Sequence, residues 1–328
     1  MAQEKAVHKK TWPDFRILPS SLRARLACSV IGIVLLATAA SLVAGYALDY
    51  RSQRRALLAS LGEQAQALRL ARDPGKEAVD IGIFAGRSHL RPEEMLSYPL
   101  QAAARVSAAL LANGLTVADV FGQPSTVSEE KAVNHPDLGE RKKAAEFYWR
   151  ILEFAARCNA KHLTLSAGVH FEQESYEDSL LRSAEELAWR VEAAAKVGIV
   201  LAVEPGLGSI ISTPPLAKRL IELTPGLTLT LDYGHFTCQG IPDHEIEPLL
   251  GYTSHFHARG ACKGKLQASF KENTINYPRV LRAMRSVGYD RYVALEYVWT
   301  EWMRCNEVDN LTETILLRDL LQSIKLES

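Results

Sequence analysis

Short apolar stretches alternate with longer amphipathic segments from about residue 77 to the end of the chain. Apolar runs of about four to eight residues predict buried strands, and apolar residues spaced three to four apart predict helices with one buried face. Glycine or asparagine follows several of the amphipathic segments, as at Asn159, Gly198 and Gly288, and supplies the left-handed C-cap that ends a helix. The predicted strands are residues 79–84, 115–121, 162–166, 199–203, 227–231, 253–257 and 292–295. The predicted helices are residues 100–113, 141–158, 179–197, 216–223, 277–287 and 312–324.

The regular alternation of strands and helices predicts an α/β fold with parallel strands joined by right-handed crossovers. Units of this kind, seven or eight in about 250 residues, favour a closed (β/α)₈ TIM barrel over an open doubly wound sheet. No Gly-x-Gly-x-x-Gly loop follows the first predicted strand, which argues against a dinucleotide-binding sheet. Because residues 76–328 supply seven strands, we expect the eighth to come from the N-terminal segment, residues 1–75.

The N-terminal segment contains a run without any charged residue, residues 26–48. About 20 apolar residues span a bilayer, so the run predicts a transmembrane helix, and its length favours this interpretation. The alternative is that part of the run, around residues 28–36, forms the first barrel strand, because buried parallel strands are also continuous apolar runs. Positive charge is denser before the run than after it, which in the first interpretation places the barrel outside the cytoplasm.

Amino-acid composition bears on whether the protein binds nucleic acid and on the cellular compartment in which it works. Lys and Arg together number 38, as do Asp and Glu, so there is no positive excess for a nucleic acid, and no nucleic-acid partner is expected. The cysteines are five in number and widely spaced without a Cys-x-x-Cys pair, which favours reduced thiols in the cytoplasm. Since this conflicts with an anchor at residues 26–48, the sequence leaves a cytoplasmic and a membrane-anchored location open. The sequence is also compatible with a homo-oligomer.

Metal-binding side chains stand at the ends of four consecutive predicted strands. Glu204, Asp232 and Glu296 each follow an apolar run, and His255 and His257 end the strand between the last two. The C-terminal ends of parallel barrel strands meet at one mouth, where these side chains can converge. Carboxylate oxygens and an imidazole suit divalent ions, so the pattern predicts a metal-dependent enzyme. The two histidines face the same side of their strand, and only one of them need be a ligand.

The motifs at these positions are specific enough to suggest a family. They are Glu204-Pro205, Asp232-Tyr233-Gly234-His235, His255-Phe256-His257 and Leu295-Glu296-Tyr297. Together they resemble the signature of the xylose-isomerase-like barrel superfamily, which includes sugar phosphate isomerases/epimerases, ketose 3-epimerases and inosose-processing enzymes. The likeness covers about residues 79–321 and implies the same barrel fold.

This resemblance implies a role for each polar residue at the mouth. The implied metal ligands are Glu204, Asp232, His257 and Glu296, with His257 preferred because the family's ligand is the second histidine of the pair. The ion would be Mn²⁺, Mg²⁺, Co²⁺ or Zn²⁺, and Glu204 and Glu296 would form the acid/base pair. The implied substrate-binding residues are His235, His255, Arg259 and Gln267.

The expected activity is isomerisation or epimerisation of a small sugar, sugar phosphate or inosose-like ketone, by proton transfer through a metal-bound enediolate. Two alternatives remain open: a sugar-binding barrel without turnover in a membrane-anchored, sensor-like protein, and a metal-dependent dehydratase or lyase acting on a cyclic polyol. Ketose epimerases carry Gly-Glu and a downstream Arg after the histidine strand, whereas this chain has Ala258-Arg259-Gly260, so the substrate stays open. Endonuclease IV needs Asp and His in that region, and residues 258–276 contain neither, so DNA cleavage is not expected.

Overall fold

A computed structural model describes residues 77–88 and 90–326 of the chain. The apolar run at residues 26–48 and the expected eighth strand lie outside the described residues. Among the helices in the described part, none is long and apolar enough to cross a membrane.

Parallel strands form a single seven-stranded sheet in which each strand pairs with the next one along the chain. Side chains of the first strand reach those of the sixth, since Asp80 Oδ2 lies 2.9 Å from His255 Nε2, so the sheet curls into a nearly closed barrel. The seven predicted strands are therefore confirmed, and the described part forms a TIM-barrel-like α/β fold. The strands are β1 Glu77–Phe84, β2 Leu115–Gln123, β3 His162–Ser166, β4 Val200–Glu204, β5 Thr228–Asp232, β6 Thr253–Ala258 and β7 Val293–Leu295.

Helices follow the strands and cover the outside of the sheet. They are α1 Pro92–Ser97, α2 Pro99–Ala112, α3 Leu138–Arg157, α4 Tyr176–Lys196, α5 Pro214–Leu223, α6 Tyr233–Gln239, α7 Asp243–Ile246, α8 Tyr277–Ser286 and α9 Asn310–Leu326, with 3₁₀ turns at Glu247–Tyr252 and Trp302–Glu307. The six predicted helices are present as α2, α3, α4, α5, α8 and α9. The sequence did not predict α1, α6 and α7, because helices of at most two turns show too little periodicity.

Capping residues fix where the long helices begin and end. Asp137 accepts a hydrogen bond from the backbone N–H of Glu140 at the start of α3, and Ser175 accepts one from Asp178 at the start of α4. Beyond the end of α4, Gly198 has φ of 72°, the left-handed conformation that returns the chain to β4.

Strand alternation separates an apolar outer layer from a polar interior. In β1, Val79, Ile81 and Ile83 belong to the hydrophobic core, whereas Asp80 faces the barrel axis.

Deeper in the barrel, His162 lies with Nδ1 2.6 Å from Asp119 and Nε2 2.7 Å from Ser254. Thr164 and Thr230 share a hydrogen bond of 2.6 Å. Hydrogen bonds of this kind fix the positions of the strands relative to one another, because each buried polar side chain needs a hydrogen-bond partner.

Candidate active site

Four consecutive strands deliver the predicted metal ligands to one mouth of the barrel. Glu204 is the last residue of β4 and Asp232 the last of β5, while Glu296 directly follows β7. His257 lies in β6 and pairs in register with Asp232, which sets the two side chains at the same height. We refer to Glu204, Asp232, His257 and Glu296 as the ligand cluster.

The two glutamates meet on one nitrogen of His257. Nδ1 of this ring lies 2.9 Å from Glu204 Oε1 and 3.0 Å from Glu296 Oε2. One ligand atom of each residue lies within 4.8 Å of the other two. Carboxylates from strands that are not neighbours therefore converge on an imidazole, which is a donor set suited to a divalent ion.

Asp232 joins the cluster through Glu204, since one ligand atom each of Glu204, Asp232 and His235 lie within 4.8 Å of one another. Its side chain is fully buried, and Oδ1 accepts a hydrogen bond of 2.8 Å from the backbone N–H of Gly234, which caps α6. Oδ2 lies 2.9 Å from the guanidinium of Arg259 and 3.6 Å from His235 Nε2, yet it has no hydrogen bond of good geometry within the described residues. A buried carboxylate oxygen without a hydrogen bond is open to a cation, so the cluster fits a metal ion.

Arg259 brings a positive charge to the mouth beside the ligand cluster. It is 4% exposed and contacts Oε2 of Glu296 as well as Asp232. Burial opposes its charge, but the carboxylates of Asp232 and Glu296 outweigh that and raise the pKa of Arg259. The three carboxylates of the cluster outnumber the positive charges of Arg259 and a protonated His257, and the remaining negative charge favours a bound cation.

The neighbours shift the pKa values in the cluster in opposite directions. Burial alone would lower the pKa of His257, but attraction to Glu296 and a hydrogen bond to Asp80 raise it well above its usual range. For Glu296, burial is outweighed by the charge of Arg259, and its pKa falls below the usual value. Burial raises the pKa of Asp232.

Sequence reasoning missed Asp80. Its Oδ2 lies 2.9 Å from His255 Nε2 and 3.4 Å from His257 Nε2, so it contacts the ring of a predicted ligand from the opposite side of the barrel. A signal was present, because strand alternation sets Asp80 on the face opposite Val79 and Ile81. A carboxylate in the middle of a strand whose other face is apolar needs a partner inside the barrel.

The ligand cluster opens into a cleft of about 550 Å³, a size that suits a small sugar. Glu204, His235, Arg259 and Glu296 line it, and Trp302 forms part of one wall. His235 Nδ1 accepts a hydrogen bond of 3.2 Å from the backbone N–H of Leu207, so the proton of the neutral ring is on Nε2. Burial lowers the pKa of His235, which keeps it a neutral hydrogen-bond donor at the cleft.

Two of the four predicted substrate-binding residues do not line this cleft. His255 is 1% exposed and bonds to Asp80 within the barrel. Gln267 donates to the backbone oxygens of Val298 and Cys305 at 2.9 and 2.6 Å, and its oxygen accepts from Val298 at 2.8 Å. The structure thus places His255 against Asp80 and Gln267 against the segment after β7, and substrate contact by these two residues stays a prediction from sequence.

The described residues form a parallel barrel that carries three carboxylates and a histidine at its mouth. The family model described as "Xylose isomerase-like TIM barrel" matches residues 68–320. The chain belongs to this family. Comparison with the curated proteins finds no match.

Solved structures show the same fold at low sequence identity. D-psicose 3-epimerase from Clostridium cellulolyticum H10, solved with D-tagatose, has a TM-score of 0.61 and 16% identity over 82% of this chain and 93% of its own. The 3-keto-D-glucoside 4-epimerase YcjR from E. coli has a TM-score of 0.54 and 18% identity over 75% and 98%. A xylose isomerase-like barrel protein from Mycobacterium smegmatis in complex with magnesium has a TM-score of 0.57 and 14% identity over 80% and 87%.

Proposed function

We propose that this protein is a divalent-metal-dependent isomerase or epimerase of a small sugar, sugar phosphate or inosose-like ketone. The observation that carries the proposal is the convergence of Glu204 and Glu296 on Nδ1 of His257, at 2.9 and 3.0 Å, beside a cleft of about 550 Å³. Two carboxylates that reach one point from β4 and β7 suit proton removal and return at a carbon next to a carbonyl. The epimerases among the solved structures with this fold support the class of reaction.

The ligand cluster would hold one divalent ion. The hydrogen-bond geometry of Asp232 Oδ2 and the excess of carboxylates over positive charges at the site support this assignment. A bound Mn²⁺, Mg²⁺, Co²⁺ or Zn²⁺ supplies a Lewis acid that polarises a substrate carbonyl and acidifies the neighbouring C–H group.

The protein side chains around the cluster would transfer the proton, orient the substrate and exclude water. One of Glu204 and Glu296 takes the proton as a carboxylate, and the other, which starts as the protonated acid, donates its own proton to the carbon from its own side of the cleft. His235 donates its Nε2 proton to a substrate oxygen, which orients the sugar. The wall that includes Trp302 gives the sugar an apolar surface and excludes water from one side of the cleft.

Solvent deuterium exchange tests this function. The protein is incubated with a panel of ketoses and ketose phosphates and Mn²⁺ in D₂O, and deuterium at carbon is followed by NMR. We expect exchange with the wild type, and a loss of about 10²–10⁴-fold in Glu204→Gln and in Glu296→Gln, as for other general bases. Glu245→Gln, an exposed carboxylate of α7, is the matched control and should exchange like the wild type.

The same experiment separates an enzyme from a sugar-binding barrel without turnover. A binding protein would retain affinity for a ketose and show no exchange at carbon in any variant. Loss of water from the substrate instead of exchange would indicate a dehydratase.

A further inference from the structure

We infer that Arg259 is an internal counter-ion that competes with the divalent ion for Asp232 and Glu296. This inference rests on the proposed function, because it concerns the same ligand cluster. It departs from the role that the sequence resemblance implied for Arg259, which was contact with the substrate.

The competition follows from which oxygen atoms the guanidinium contacts. Oδ1 of Asp232 is already bonded to the backbone N–H of Gly234, so Oδ2 is the oxygen left for an ion, and Arg259 lies 2.9 Å from it. Oε2 of Glu296 is the oxygen beside Nδ1 of His257, and Arg259 contacts this atom as well. The guanidinium therefore interacts with the atoms of two cluster residues that face the ion position.

The backbone and the packing hold Arg259 at this place. It is two residues beyond His257, so its side chain points into the barrel on the same face. The hydroxyl of Tyr277 donates a hydrogen bond of 2.6 Å to its backbone oxygen. Gly234 leaves room for its stem, since a Cβ at that position would lie 3.2 Å from Cγ of Arg259. Arg259 is a built part of the mouth and not a surface side chain that happens to reach it.

Electrostatics gives Arg259 two opposite effects. Its charge compensates carboxylates that would otherwise repel one another in a buried site, which stabilises the fold. The same charge repels a divalent ion at close range, which weakens ion binding. Nη2 of Arg259 makes both ion pairs and its Nε has no hydrogen bond within the described residues, so neither carboxylate is held by the two-pronged contact that would fix the guanidinium most firmly.

A supporting role for Arg259 would give the reverse result. If it held Asp232 in position for the ion, removal of the guanidinium would weaken ion binding. If it competes, removal tightens ion binding and makes the ion-free protein less stable. The sign of the change in affinity therefore decides between the two roles.

The experiment is a calorimetric titration with Mn²⁺ alone, after dialysis against a chelator, combined with thermal unfolding with and without Mn²⁺. Arg259→Gln is expected to bind Mn²⁺ at least about tenfold more tightly than the wild type. Without Mn²⁺, this variant should unfold at a lower temperature than the wild type. Addition of Mn²⁺ should raise its unfolding temperature by more than that of the wild type. Arg87→Gln is the matched control, because Arg87 lines the same cleft and donates to Gln123 instead of the cluster. Its affinity should stay within about twofold of the wild type.

A second variant keeps the test decisive if Arg259→Gln does not fold. Arg259→Lys retains the charge but not the guanidinium whose Nη2 contacts both carboxylates, and should bind Mn²⁺ at least about threefold more tightly than the wild type. Equal or weaker affinity in the folded Arg259 variants, with one Mn²⁺ bound by the wild type, overturns this inference and leaves the proposed function standing. Absence of Mn²⁺ binding in the wild type and in every variant overturns both. Binding by Arg259→Gln alone supports the inference.

Discussion

Asp80 on β1 faces His257 on β6 across the barrel interior, with its Oδ2 3.4 Å from Nε2 of the ring. Nδ1 of the same ring faces the two glutamates of the ligand cluster. A carboxylate that accepts the Nε2 proton keeps Nδ1 free and aimed at the ion, as is common behind metal-binding histidines. Asp80 is thus placed to set the tautomer and the orientation of His257.

Asp80→Asn is expected to weaken Mn²⁺ binding by about 10–100-fold, because a neutral amide fixes the ring less firmly. The measurement is a Mn²⁺ titration of the folded variant. Asp119→Asn is the matched control, since Asp119 is also an aspartate inside the barrel but bonds to His162 at 2.6 Å. Equal affinities in the two variants would contradict a role for Asp80 behind His257.

Gly206→Ala should impair substrate handling without loss of the metal ion. A Cβ at this position would lie 2.6 Å from the ring of His235, so the ring must shift from its place at the cleft. We expect deuterium exchange to fall about tenfold or more, as small misplacements of orienting groups do, while Mn²⁺ affinity stays unchanged.

Gly251→Ala provides the control for this prediction. A Cβ at Gly251 would meet nothing within 4 Å, so this variant should exchange like the wild type. Full exchange in Gly206→Ala would show that His235 does not orient the substrate.

Glu174 makes part of the stability dependent on pH. Hydrogen bonds from Arg182 lower the pKa of Glu174 below its ordinary value of 4.5. A lowered pKa in the folded state contributes stability that is fully present above the ordinary value and is lost as the pH falls through the folded value. Glu174→Gln should therefore lower the free energy of unfolding by about 1–2 kcal/mol at pH 7. This difference should shrink once the pH falls below 4.5.

Urea unfolding from pH 7 to 3 measures this difference. Glu177→Gln serves as the control, because the pair of Glu177 with Arg219 is half exposed and should contribute little at any pH. A difference between wild type and Glu174→Gln that stays constant down to pH 3 would contradict the assignment.

The strands and the ligand cluster were predictable because both depend on local patterns. Apolar runs mark the strands, and a parallel barrel brings Glu204, Asp232, His257 and Glu296 together by its topology alone. The partners of Asp80 were not predictable, because β1 meets β6 only when the sheet curls. The same holds for Arg259 and Gln267, whose long side chains can reach several partners, so their contacts depend on the packed structure.

The predictions for the N-terminal segment concern residues outside the described part of the chain. The transmembrane helix at residues 26–48, the first-strand alternative and the boundary between residues 75 and 76 remain predictions from sequence. So do the compartment and the oligomeric state.

The metal content of the purified protein, measured by elemental analysis after reconstitution, tests whether the ligand cluster holds a divalent ion. The variants Asp232→Ala and His257→Ala, each checked for folding by circular dichroism, are analysed beside the wild type. We expect one divalent ion per chain in the wild type and loss of that ion in both variants, because each removes a ligand. A wild type without bound metal, or folded variants that retain the metal in full, would contradict metal binding by the ligand cluster.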